Sequence, residues 1–150
     1  MMTDKKIGII GCGNMGSALL GRLSMVMEKS VSLMVSELDA ARRAAILEKH
    51  KIIVEIDNNH LVKYSDVIIL AVKPQDLDNV LRQEVCCGIS EKKLLISIAA
   101  GITTGYIEGV VGDNVPVIRA MPNMPAVIGE AVTAICAGSA AVFSRASRTS

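Results

Sequence analysis

The chain has 150 residues, of which 51% are apolar and 21% are charged, and its formal net charge is +1. This length and composition predict one ordered domain with its own core, and the balanced charge and scarcity of aromatic residues argue against a nucleic-acid partner. The absence of a membrane-length apolar run, and of a signal-peptide pattern at the N-terminus, predicts a cytoplasmic protein with no membrane partner.

Strands and helices are predicted to alternate through the first half of the chain. The apolar and capping patterns predict a strand beginning at Ile7 and ending before Gly11, a helix over 14–27, a strand over 32–36, a helix capped by Asp39 and ending near His50, a strand over 52–54, and a short helix capped by Asn58 and reaching Tyr64.

The alternation continues through the second half. We predict a strand over 67–72, a helix beginning at Pro74, a strand over 94–98, a helix from Thr103 to Val111, a strand over 115–119, an irregular segment over 121–125, and a last strand over 131–137. Such β-α-β units predict an α/β fold with a Rossmann-type, doubly wound, mainly parallel sheet. We expect this dinucleotide-binding domain to span residues 1–140 and the polar tail, 141–150, to be disordered.

The glycine-rich segment Gly11-Cys12-Gly13-Asn14-Met15-Gly16 follows the first predicted strand and opens the first helix. This is a G-x-G-x-x-G pattern: its first glycine permits a tight turn, its second lets backbone approach a pyrophosphate, and its third lets helix and strand pack closely. The free N–H groups of the following helix would then face an anion. Glycines also collect in plain turns, so the motif needs the support of its surroundings.

Other candidate residues follow neighbouring strands, where an open parallel sheet binds its ligands. Glu37, about twenty residues past the glycine motif, is placed to accept hydrogen bonds from the adenosine ribose, which slightly favours NADH over NADPH. Arg42 and Arg43 lie close enough to weaken that preference, and the alternative is a solvated glutamate in a turn. Small residues after two later strands, in Ala71-Val72-Lys73-Pro74 and Ala99-Ala100-Gly101, suit a flat ligand or simple close packing.

No pattern indicates a metal site or a hydrolytic centre. The four cysteines lack C-x-x-C or disulfide-scaffold spacing, and His50 and His60 are isolated from other metal ligands. We therefore expect reduced thiols, surface histidines and no bound metal. Lys73 is a conceivable general acid, but exposed lysines are commonplace.

Four motifs together carry a resemblance to a known family. The segment V-I-R-A-M-P-N-M-P-A-V-I-G over 117–129, with I-G-C-G-N-M-G, A-V-K-P-Q and S-I-A-A-G-I-T in order before it, closely resembles the N-terminal half of pyrroline-5-carboxylate reductase. That enzyme reduces a cyclic imino acid with NAD(P)H in the last step of proline synthesis, and the intact family is homo-oligomeric.

The resemblance implies roles for individual positions. The pyrophosphate would contact Ile10, Gly11, Cys12, Gly13, Asn14 and Met15, and the adenosine ribose would contact Ser36 and Glu37. Asn58 would also contact the cofactor, and the nicotinamide would lie against Ala71, Val72, Lys73, Pro74, Ile98, Ala99 and Ala100. The substrate would lie near Met121, Pro122 and Asn123. It nominates no catalytic residue. Two departures are Met124, where many relatives have Thr, and Glu37, where relatives often have a small or basic residue and NADPH would be expected.

The larger departure from the family is length. Family enzymes continue into an all-helical domain that supplies dimer contacts and most of the imino-acid site, and we expect that domain to be absent here through a truncation or a frameshift. The alternative functions are a non-catalytic dinucleotide-binding module and a relative that reduces another imine or acts on β-hydroxy acids.

Overall fold

A seven-stranded sheet forms the centre of the computed structural model, which describes residues 5–27, 32–122 and 133–141. Its strands are β1 (Lys6–Ile10), β2 (Ser32–Ser36), β3 (Ile53–Glu55), β4 (Val67–Leu70), β5 (Leu94–Ser97), β6 (Val117–Pro122) and β7 (Thr133–Ala137). The helices are α1 (Asn14–Val26), α2 (Ala40–His50), α3 (Asn58–Tyr64), α4 (Pro74–Val80) and α5 (Thr104–Val111). No helix within the described residues combines the length and apolarity that a membrane crossing requires.

The strand order is β3-β2-β1-β4-β5-β6-β7. Strands β1 to β6 pair in parallel, and β7 pairs antiparallel with β6. The chain moves outward from β1 to β3, then returns to the other side of β1 and moves outward again, so the winding reverses between β1 and β4. The predicted Rossmann-type α/β fold is therefore confirmed, and the carboxyl ends of β1 and β4 flank its topological switch point.

Both faces of the sheet are covered by core clusters, which is why its central strands are almost continuously apolar. Neighbouring side chains enter opposite clusters: Ile9 and Ile69 pack on one face, while Ile10, Ile68 and Leu70 pack on the other. Helix α3 lies close to β1 at Gly8, where a Cβ atom would clash with side chains of α3 and its C-cap.

The predicted irregular segment over 121–125 is wrong at its first two residues. Strand β6 continues through Met121 and Pro122, which pair with Ala134 and Thr133 of β7. The pairing with β5 ends at Arg119, so Pro122 lies where one side of the ladder is already open and its missing N–H is tolerated. Residues 123–125 of this segment, residues 131–132 of the predicted last strand, and residues 142–150 of the predicted tail over 141–150 lie outside the described residues.

Local capping chemistry is mostly as predicted, with one exception. Asp39 caps α2 and Thr103 caps α5, each accepting a backbone N–H bond from three residues on. The backbone hydrogen bond from Arg42 lowers the pKa of Asp39 below its ordinary value. Asn58 is not the cap of α3: Asp57 accepts the N–H of Asn59 at 2.9 Å, and Asn58 is the first helical residue.

Other predicted boundaries differ by a few residues. Strand β3 begins at Ile53, β4 and β5 end at Leu70 and Ser97, and β6 begins at Val117. The helix that begins at Pro74 is α-helical as far as Val80 and π-helical after it. Residues Leu81–Val85 form one turn of π-helix, in which Leu81 O accepts the N–H of Cys86 at 2.9 Å.

Candidate dinucleotide-binding cleft

A cleft of about 550 Å³ opens at the carboxyl ends of β1, β2 and β4, beside the switch point. This is the position at which open α/β sheets bind their ligands, and its volume lies in the range of small-molecule sites. The predicted site residues that line it are Ile10, Gly11, Cys12, Gly13, Ser36, Glu37, Asn58, Ala71, Val72 and Lys73. The cleft therefore brings together residues from four separate segments of the sequence.

The three glycines of the loop have different surroundings. Gly11 has a φ of +88°, and a Cβ there would lie 3.0 Å from the carbonyl oxygen of Ala71. A Cβ at Gly16 would clash with the Gly11 carbonyl, because α1 begins tight against the end of β1. A Cβ at Gly13 would meet no atom within 4 Å, so the space above this residue is free for a ligand. The roles predicted for Gly11 and Gly16 match these surroundings.

The start of α1 is open to an anion. Helices α2, α3 and α5 each receive a side-chain cap, from Asp39, Asp57 and Thr103. Helices α1 and α4 receive none: the N-cap of α1 is Gly13, and α4 begins with Pro74, which lacks an N–H. Unsatisfied N–H groups and the positive end of the helix dipole favour negative charge at the start of α1.

Glu37 forms a buried link between two loops of the cleft. Its side chain is only 7% exposed. Oε2 accepts the N–H of Cys12 at 2.9 Å, and Oε1 accepts the N–H of Asp39 at 2.9 Å. The alternative of a solvated glutamate in a turn is wrong, because its charge is held by backbone donors inside the fold.

The two arginines near Glu37 have different partners. Arg43 Nη1 donates to the carbonyl oxygens of Glu37 and Leu38, at 2.9 and 2.6 Å, and so holds the backbone of the loop after β2. Arg42 lines the cleft with an exposed side chain, and its Nη1 lies 3.7 Å from Glu37 Oε2. Among the described residues at this end of the cleft, Arg42 therefore brings an exposed positive charge, whereas Arg43 is engaged by the backbone.

Several predicted site residues lie outside this cleft. Asn14 and Met15 line a separate, wider groove of about 990 Å³ that runs along α1 and the end of α2. Pro74 occupies the first turn of α4. Ile98, Ala99 and Ala100 follow β5 and Met121 and Pro122 end β6, so they share the carboxyl edge of the sheet without lining the cleft. Asn123 falls outside the described residues.

The environment of Cys12 disfavours the thiolate form of its side chain. Cys12 is 1% exposed, and burial raises the pKa of its thiol above the ordinary value. In the described segments, no three His, Cys, Asp or Glu side chains come together as a metal site would require.

Two features of the cleft were missed by the sequence reasoning. One is the bond between Glu37 and the Cys12 amide, and the other is Glu84, which lines the cleft beside Asn58. No local pattern marks either, because the partners lie 25 and 26 residues apart in the chain.

Comparison with known proteins agrees with this geometry. Residues 6–101 match the family described as "NADP oxidoreductase coenzyme F420-dependent". The chain belongs to this family. A pyrroline-5-carboxylate reductase of Synechocystis sp. is 40% identical over 135 residues, which cover 88% of this chain and 49% of that protein.

Solved structures match this chain as well. A pyrroline-5-carboxylate reductase from Coxiella burnetii superposes with a TM-score of 0.88 and 29% identity, over 93% of this chain and 52% of that one. The Plasmodium falciparum pyrroline carboxylate reductase with NADP bound gives a TM-score of 0.75 and 27% identity, over 93% and 50%. The chain thus spans about half the length of the relatives it matches, and the resemblance predicted from the sequence is confirmed.

Alanine at two glycines of the glycine-rich segment should separate effects on ligand binding from effects on folding. We expect Gly13→Ala to change the free energy of unfolding by less than about 1 kcal/mol while weakening NADH binding at least tenfold, because its methyl group fills the ligand space. Gly16→Ala should destabilise the fold by about 2–3 kcal/mol through its clash with the Gly11 carbonyl. Urea unfolding and fluorescence titration test both, and equal effects of the two variants on stability would contradict the assignment.

Proposed function

We propose that this chain is the dinucleotide-binding half of a pyrroline-5-carboxylate reductase and that its cleft holds NAD(P)H. The observation that carries the proposal is the arrangement at the switch point. An uncapped helix N-terminus and the open space at Gly13 lie in one cleft with the buried carboxylate of Glu37. The helix N-terminus with Gly13 suits the pyrophosphate of a dinucleotide, and the Glu37 carboxylate suits its ribose hydroxyls.

The pyrophosphate would lie over Gly13 and the first turn of α1. Gly13 has no side chain to block it, and the backbone N–H groups of the turn supply donors and positive partial charge. The Cys12 amide is already bound to Glu37, so it is not among the donors left for the phosphates.

The nicotinamide would lie toward β4 and β5. Ala71 and Val72 line the cleft there, and Ala99 and Ala100 lie next along the same edge. A bound reduced nicotinamide supplies the hydride for reduction of an imine carbon. The chain's part in that reaction is to position the cofactor and shield it from water.

The substrate end would begin at β6, as the resemblance implies. Met121 is 45% exposed at the end of this strand, so its side chain is open to contact with another group. We assign no proton donor within the chain.

The second candidate function is a non-catalytic dinucleotide-binding module. The observation that favours it is that Met121 and Pro122, predicted to lie near the substrate, do not line the cleft that would hold the dinucleotide.

Binding and turnover measured on the same preparation test the two functions. The proposal predicts saturable quenching of NADH fluorescence, and NADH oxidation with 1-pyrroline-5-carboxylate faster than that of Gly13→Ala would exclude the non-catalytic module. Binding without any oxidation above that control would favour the module. No saturable binding of NADH or NADPH would contradict both.

We further propose that the chain prefers NADH to NADPH. The carboxylate of Glu37 lies at the end of β2, where the ribose hydroxyls would be placed, and it is held there by two backbone N–H groups. A 2′-phosphate would bring like charge against it, at a cost of a few kcal/mol for charges about 4 Å apart near a protein surface. Arg42 opposes this effect, since its guanidinium lies beside the same carboxylate.

Removing the charge of Glu37 should shift the cofactor preference. We expect Glu37→Gln to move the ratio of the NADH and NADPH dissociation constants at least tenfold toward NADPH, and Arg42→Ala to move it the other way. Glu48→Gln, which removes an exposed acid of α2, is the matched control and should leave the ratio unchanged. A ratio unaltered in folded Glu37→Gln would show that this residue does not read the ribose.

A further inference from the structure

A buried amide and a carboxylate are paired in the wall of the cleft. Asn58 is 5% exposed, and its Nδ2 donates to Glu84 Oε2 at 2.5 Å. Both residues line the cleft together with Ser36 and Glu37. Glu84 was given no role by the sequence motifs or by the resemblance.

The pair leaves one hydrogen-bonding atom without a partner. Asn58 Oδ1 is buried and accepts no hydrogen bond from any described residue. A carboxylate accepts but does not donate, so rotation of the amide would place oxygen against oxygen. Glu84 therefore fixes the amide with its nitrogen occupied and its oxygen as the remaining acceptor.

Both members of the pair lie on helical segments that are packed into the core, since α3 buries Leu61 and Val62 and the π-helical turn buries Leu81 and Val85. The C-terminal end of α3 is fixed by Lys93, whose Nζ donates to the carbonyl oxygens of Val62, Lys63 and Ser65 at 2.7–2.9 Å. Glu84 lies in the π-helical turn, between two fully buried core residues, Leu81 and Val85. Turns of this kind occur frequently at functional sites.

An unpaired buried acceptor is costly unless a ligand or a movement of the fold satisfies it. The oxygen is shielded from solvent in this conformation, so a ligand donor reaches it only as the wall of the cleft adjusts. Asn58 shares the cleft with Ser36 and Glu37 of the β2 end, where the adenosine half of the dinucleotide is proposed to lie.

We propose that Glu84 is a positioning residue that orients the Asn58 amide, so that Oδ1 accepts a hydrogen bond from the adenosine half of the bound cofactor. This inference rests on the proposed function, because it requires that the cleft bind a dinucleotide. Glu84 would then affect cofactor binding through Asn58 and without contacting the cofactor itself.

Substitutions of the Asn58 amide and the Glu84 carboxylate test the proposal. The chain is titrated with NADH and with ADP-ribose, which keeps the adenosine half and lacks the nicotinamide. Glu84→Leu should weaken both about fivefold to tenfold, because the amide is then free to rotate. Glu84→Gln retains an acceptor for Nδ2 and should weaken them less than threefold.

The decisive variant restores the hydrogen bond between positions 58 and 84 with the donor and the acceptor exchanged. Asn58→Asp alone places two carboxylates together and should weaken binding at least tenfold. Asn58→Asp combined with Glu84→Gln again gives one donor bond and one free acceptor oxygen, and should recover both affinities to within threefold of the original. A purely structural role would move the melting temperature of the variants without this recovery of affinity.

The outcomes separate this inference from the proposed function. Glu91→Leu, at an exposed acid in the turn before β5, is the control and should bind as the original chain does. If the original chain binds neither ligand, the proposed function fails. If it binds both, the inference is overturned by unchanged affinity in Glu84→Leu, by loss of NADH affinity alone, or by a folded double variant whose affinity is not recovered.

Discussion

The cleft depends on one buried carboxylate. Glu37 is enclosed by the fold and receives the backbone N–H groups of Cys12 and Asp39, so it joins the loop after β1 to the loop after β2. A buried charge without such donors costs several kcal/mol, which means that the two loops keep the carboxylate stable only in this relative position. The same carboxylate lies where the adenosine ribose is expected. The residue that holds the two loops together would therefore also select between a 2′-hydroxyl and a 2′-phosphate.

The rest of the site follows from how the sheet and helices meet around this link. At Gly8 and Gly16 the backbone of the β1–α1 unit meets its neighbours with no room for a Cβ, which places α3 and the start of α1 close to β1. Gly13, between them, has open space above it. Gly8, Gly11 and Gly16 thus allow the close approach that positions these elements, whereas Gly13, the glycine that would face a ligand, has free space.

The sequence could predict features that depend on neighbours in the chain. The alternation of strands and helices, the caps Asp39 and Thr103, and the position of Glu37 after β2 follow from local patterns and the parallel topology. Features set by distant contacts could not be predicted: β6 extends to Pro122 because β7 pairs with it, and Glu84 meets Asn58 across 26 positions. The cap of α3 was misassigned because Asp57 and Asn58 are both good capping residues, and only the fold selects between them.

A crystal structure of this chain grown with a saturating concentration of NADH tests the central claim most directly. The account predicts pyrophosphate density over Gly13 and the first turn of α1, with an adenosine ribose hydroxyl within hydrogen-bond distance of Glu37 and the Cys12 amide still bound to that carboxylate. Density for the dinucleotide along the outer groove of α1, or a cleft whose Glu37 has released Cys12 and contacts no ribose, would contradict it.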